Sequence, residues 1–254
     1  MIIDLERPDT WPEPLASYLA THHDALLGWE RGDRPDGPDI SATRYDHIVY
    51  GLRAVLQAYS IVGLHCTKLT EEEIQHILAD GMQLPDGKML AQRINRLVES
   101  GYVTSAIADK LLAKNQADEQ YRAGMVWFCF FRPGIAGESG IGSFFRFWGG
   151  EALYNSHDGQ PETGDTLKRI GIPCLVEAEV PIASLEPHSF LDTKIIRRYL
   201  IHRGFETGEP VDHEDRIKKA LPAACIRRII RHSNPEFVAL TGCDEWSDGL
   251  ALSQ

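Results

Sequence analysis

The chain has 254 residues, of which 43% are hydrophobic, 25% charged and 9% aromatic, an ordinary balance for a globular fold. A chain of this length buries roughly three-quarters of its unfolded surface, so neither disulfides nor structural metals are required. With 26 basic and 37 acidic side chains the net charge is −11 at pH 7, which excludes a general nucleic-acid coat.

The N-terminal stretch opens on Trp11-Pro12, continues with an apolar-periodic run to Trp29 and ends in the turn-rich Arg31 to Pro38. This predicts a helical appendage and linker over 1–42, ahead of a main domain over 43–254. Tyr45, Ile48, Val49, Leu52 and Leu56 recur on one helical face. Ser60 to Leu64 is short, apolar and partly β-branched, which predicts a strand ending at His65. Thr70 with Glu73 forms a capping-box pattern, Ile74, Ile77 and Leu78 share a face, and Gly81 supplies the stop. Further helices are predicted over 88–99 and 105–114. Met125 to Phe131, bounded by Gly124 and Pro133, predicts a strand, and the glycine-rich Gly134 to Gly142 a loop. A strand over 173–182, a helix over 190–202, a strand near 217–221 and an apolar segment over 226–230 complete the chain. Helices come early and strands late, so the expected class is α+β.

Several catalytic signatures are absent. There is no P-loop, Gly137, Gly140 and Gly142 do not make a dinucleotide fingerprint, and His213-Glu214 is not followed by the second histidine of a zinc helix. The cysteines Cys66, Cys129, Cys174, Cys225 and Cys243 have no C-x-x-C spacing, which argues against a disulfide framework or thiolate zinc; no metal is expected. The longest apolar stretches are too short to cross a bilayer, and Asp4, Glu6, Asp9 and Glu13 replace a basic leader, so the expectation is a cytoplasmic protein with no membrane partner. Charge is uneven. Residues 1–186 hold 16 basic and 27 acidic groups, whereas 187–232 hold 10 and 6. That segment is either a solvated face or a contact surface for an anionic ligand.

The segment Gly63-Leu64-His65-Cys66-Thr67, followed by Ile74, Ile77, Leu78 and Gly81, resembles the opening of ADP-ribosyltransferases, including the DarT toxins that modify nucleic acid. In that family NAD lies across a split sheet, and the H-x-T pair hydrogen-bonds its ribose and nicotinamide amide. The resemblance therefore implies an ADP-ribosyltransferase-like split-sheet core with NAD as co-substrate, and gives His65 and Thr67 the cofactor-binding role. Met125 to Phe131 is similar to the aromatic strand of DarT-like enzymes and leads to the run Phe144 to Tyr154. There Trp148 and Tyr154 are candidates for stacking on the cofactor, and Arg122 or Arg146 for neutralising its pyrophosphate. The tyrosine common on that strand in the family has no certain counterpart.

Glu214, followed by Ile217, Ala220, Leu221, Pro222, Ile226 and Ile229, resembles the catalytic glutamate with its trailing apolar stretch and proline. Read from the residues alone, Glu214 also fits an acidic turn, with Glu177 and Glu179 as the alternatives. The implied activity is mono-ADP-ribosyl transfer to a nucleic-acid acceptor, RNA or single-stranded DNA, as in a bacterial toxin or antiphage effector held by an antitoxin protein. Three other readings stay open: a transferase acting on protein, a non-catalytic NAD-binding module, and a cysteine-dependent hydrolase using Cys66 or Cys225.

Overall fold

The computed structural model describes residues 1–30, 41–186, 190–207 and 212–250; the turn-rich run 31–38 lies outside them. In chain order the elements are β1 (Ile2–Ile3), α1 (Glu13–Thr21), α2 (His23–Glu30), α3 (Ala42–Leu56), β2 (Ser60–Leu69), α4 (Glu71–Asp80), α5 (Gly87–Glu99), α6 (Ser105–Ala113), β3 (Val126–Cys129), α7 (Gly137–Arg146), α8 (Glu151–His157), α9 (Pro161–Arg169), β4 (Ile172–Pro181), α10 (Leu191–His202), β5 (Glu214–Ile217), β6 (Ile226–Arg231) and α11 (Pro235–Thr241). The protein is α+β, built on an open sheet ordered β5-β3-β2-β4-β6 whose neighbours along that path are antiparallel. The short β1 adds in parallel beside β2.

Alternation along β2 sends Leu64 and Cys66 to one face, where they pack with Leu175 and Ile230 against Ile141 and Phe145 of α7 and Phe237 of α11. On the other face Ile61, Val176, Ala178 and Phe128 share the largest core with Leu52 of α3, Ile74 of α4 and Ile195 of α10. A third cluster, under α5, α6, α8 and α9, closes around Trp148, Leu153 and Leu167. The first thirty residues, expected as an appendage, contribute β1 to the sheet, and Ile3, Leu5, Leu15 and Leu19 are buried in the same core as the strands.

The capping box at α4 forms as the spacing predicts: Thr70 Oγ1 accepts from the Glu73 N–H at 3.3 Å, and the Glu73 carboxylate accepts from the Thr70 N–H at 2.8 Å. Three predicted boundaries are corrected. β2 continues to Leu69, which puts His65 and Thr67 inside the strand rather than at its end. The reason is Lys68, only 2% exposed, whose Nζ donates to the carbonyls of Arg146 and Lys168 at the ends of α7 and α9. Burial pushes its pKa down to about 8. The expected glycine-rich loop contains α7, because Ile141 and Phe145 bury one face of a helix. β5 begins at Glu214, earlier than predicted, because its buried positions alternate with open ones.

Candidate active site

Three adjacent strands set the geometry. Glu214 of β5 pairs with Cys129 of β3, and Cys129 pairs with Leu64 of β2, so the glutamate is aligned with the residue before His65. The β2–β3 ladder consists of that single register pair, whereas β2 and β4 match along the whole of β2. Strict alternation puts Glu214 on the Leu64 face and starts the His65 side chain on the other.

His65 meets the β3 backbone where this short ladder stops. Its Nδ1–H donates to the Trp127 carbonyl at 2.9 Å. A carbonyl only accepts, so this bond fixes the neutral tautomer and leaves Nε2 as an acceptor. Burial pushes the imidazole pKa down, the bond to Trp127 opposes this, and the charge of Arg93 adds to the lowering. The ring lies edge-on to Phe128, with centroids 6.0 Å apart. Thr67, two residues on, shares its side of the strand and is half-buried.

Glu214 is exposed, and among the described residues its carboxylate carries no ion pair. Cys129, Trp127 and Arg216 share its face of the β3–β5 ladder. The Cys129 and Cys66 thiols are hydrogen-bonded to one another, which lowers the pKa of Cys129 and raises that of Cys66. Beyond the end of β2, a recess of about 380 Å³ is lined by Thr70, Glu71, Glu73, Arg93, Arg96 and Tyr102, among others. Arg93 pairs with Glu73 at 2.6 Å and lies 4.6 Å over the Trp148 ring. Burial pushes the Glu73 carboxyl up, but Arg93, the Thr70 N–H and the Trp148 N–H together hold it below its ordinary value.

The remaining expected residues are engaged within the protein. Trp148 has 0% exposure and donates its indole N–H to Glu73 at 2.9 Å, so the expected stacking on a cofactor is corrected: no ring face is open. Tyr154 is half-buried, donates to Glu151 at 3.3 Å, and burial pushes its pKa up. Arg122 is paired with Glu119 and Glu151, and Arg146 with Glu138 and the Asp248 carbonyl. Neither arginine offers an uncommitted charge. The alternative Glu177 is buried between Arg227 at 2.8 Å and Arg228 at 2.7 Å, with Glu179 at the rim of the same cluster. It lines a second cavity of about 310 Å³ with Leu64, Cys129 and Arg228.

Among the described residues, half of the basic side chains of 187–232 are held by carboxylates of the protein. Arg197 pairs with Glu30, Lys218 with Glu186, Arg228 with Glu177 and Glu236, and Arg231 with Glu71. The thiols offered for a hydrolase are held protonated, Cys66 by its bond to Cys129 and by burial, Cys225 by burial. Sequence reasoning missed Arg93, Trp127 and Arg216. The first carries no motif spacing, and the other two become neighbours only through strand pairing. Among the described residues no group of three or more His, Cys, Asp or Glu could hold a metal ion, and no helix is long and apolar enough to cross a membrane. Compared with known proteins, the chain matches no family model, no curated protein and no solved structure.

Proposed function

We propose that the protein is an NAD-dependent mono-ADP-ribosyltransferase with an ADP-ribosyltransferase-like split sheet, acting on an unpaired nucleic-acid acceptor. The observation that carries the reading is the pairing of β2 and β5 with β3, which brings Glu214, without an ion pair among the described residues, into line with the residue before His65, the two side chains starting on opposite faces beside a seam of one register pair. The short β2–β3 ladder is the kind of parting a split sheet requires. The donor set also suits a dinucleotide. His65 Nε2 is left to accept from a ribose hydroxyl, Thr67 offers a hydroxyl, and Arg93 and Arg96 line the recess at the end of the same strand. Arg93 is itself paired with Glu73, as Arg122 and Arg146 are with their own carboxylates, so a pyrophosphate seated in the recess competes with that carboxylate.

NAD supplies a ribose whose bond to nicotinamide breaks as positive charge develops on the sugar, as in glycoside hydrolysis. Glu214 stabilises that charge and takes the proton of the incoming acceptor group. His65, neutral and fixed through Nδ1, orients a ribose hydroxyl without competing for the charge. Because Arg227, Arg228 and Arg231 of β6 are each held by a carboxylate, contact with nucleic acid is local rather than along β6. The setting of a toxin or antiphage effector with an antitoxin partner follows from the same reading.

The test is incubation with NAD labelled in the adenylate, alongside separate RNA, single-stranded DNA and protein pools. Label should transfer to the nucleic-acid pools, and Glu214→Gln should lower transfer by at least about 100-fold while leaving the fold intact. Label appearing in protein alone would move the acceptor class. A fully active Glu214→Gln would return Glu177 and Glu179 to consideration.

A further inference from the structure

We infer that Trp127 and Arg216 form the acceptor subsite, a platform on which one unpaired nucleobase stacks; its chemistry rests on the transferase reading, its binding does not. In the aromatic run of β3 and its continuation, Phe128, Phe130 and Phe131 are buried, yet Trp127 is 38% exposed. It stands opposite Arg216 in the β3–β5 ladder, with the guanidinium carbon 4.8 Å from the indole centroid. Arg216 Nε is buried without a hydrogen-bond partner, and among the described residues the guanidinium has no ion pair. That separates it from Arg197, Arg227, Arg228 and Arg231, each held by a carboxylate.

The geometry selects the ligand. The exposed part of the indole offers π-surface to a flat ring, and the guanidinium laid over the same ring, with no ion pair among the described residues, favours a ring tethered to an anion, which describes a nucleotide. Glu214 is two residues before Arg216 on the same face, so a base held on the indole lies beside the carboxylate. A base inside a duplex has both faces covered by its neighbours, which restricts the platform to single strands, loops or flipped bases. In the reaction a base nitrogen forms the new bond to the ribose carbon, and the bond to nicotinamide breaks with its electron pair leaving on nicotinamide. The base N–H proton passes to the Glu214 carboxylate and then to water.

Fluorescence anisotropy with short labelled single-stranded DNA and RNA oligonucleotides and their duplexes, without NAD, reads the binding directly. The protein should bind single strands more tightly than duplexes. Trp127→Ala should weaken that binding roughly 10- to 100-fold, Trp127→Phe should restore most of it, and Arg216→Gln should weaken it less and flatten its salt dependence. Circular dichroism melts of the same variants establish that they fold. The proposal is overturned if Trp127→Ala binds like the parent, if duplexes bind as tightly, or if the parent binds no oligonucleotide. Nicotinamide release from NAD, measured in parallel, separates the two readings. Binding that depends on Trp127 without NAD cleavage removes the transferase and keeps the platform, whereas NAD cleavage without such binding does the reverse.

Discussion

Val126, Phe128, Asp215 and Ile217 occupy one face of the β3–β5 ladder and are buried, while Trp127, Cys129, Glu214 and Arg216 face the other way and stay partly or fully open. The sealed face belongs to the main core with Leu185 and Val176. The open face joins two charged side chains and an indole with Cys129, which packs at the edge of the Leu64 and Cys66 cluster. One residue of offset therefore divides structural from available chemistry. His213, just before β5, follows the same alternation: it is buried and its ring stacks on Phe130 with centroids 5.7 Å apart.

The largest expected contrast is in stability. Phe128→Ala, on the sealed face, should cost roughly 3–5 kcal/mol in urea unfolding through lost burial and a cavity. Trp127→Ala, on the open face, should cost far less, and equal losses at both positions would break the comparison. A pH experiment sharpens it next. Burial, with the charge of Lys194, pushes the His213 pKa down to about 4. Between pH 6.5 and about 4 the unfolded chain therefore binds a proton that the folded chain refuses. Stability falls as the pH falls through this window, by up to about 3 kcal/mol from this group. His213→Phe should lose less on acidification than the parent, and parallel curves for the two proteins would place the imidazole in solvent. The smallest effect belongs to Arg216→Gln, which removes only a part-exposed cation–π contact and should change stability by no more than about 1 kcal/mol.

How much of this was legible in the sequence depends on how local the deciding contacts are. The α4 cap was readable because Thr70, Glu73 and Gly81 act within one helix. The end of β2 was not, because Lys68 looks like a strand terminator until the carbonyls of Arg146 and Lys168 are brought to it. Glycines hid α7 although Ile141 and Phe145 stand at helical spacing, and the charges Glu214, Asp215 and Arg216 hid β5 although their burial alternates. For the candidate site, His65, Thr67 and Glu214 were singled out by order and spacing. The partners that qualify them came only with the fold: the Trp127 carbonyl, Arg93, and the carboxylates that pair with arginines of the basic segment. Glu30 lies 167 residues from Arg197, and Glu71 lies 160 from Arg231, distances over which charge patterning gives no guidance.

The ladder lengths also set where the sheet can give. Ten register pairs fasten β2 to β4, four fasten β3 to β5, and one joins these two ribbons directly. Distortion imposed by anything wedged beside His65 is thus absorbed along a single seam, with each ribbon shifting as a rigid plank. In deuterium exchange, the β2 and β4 amides bonded to one another should outlast the β2 and β3 amides that face the seam.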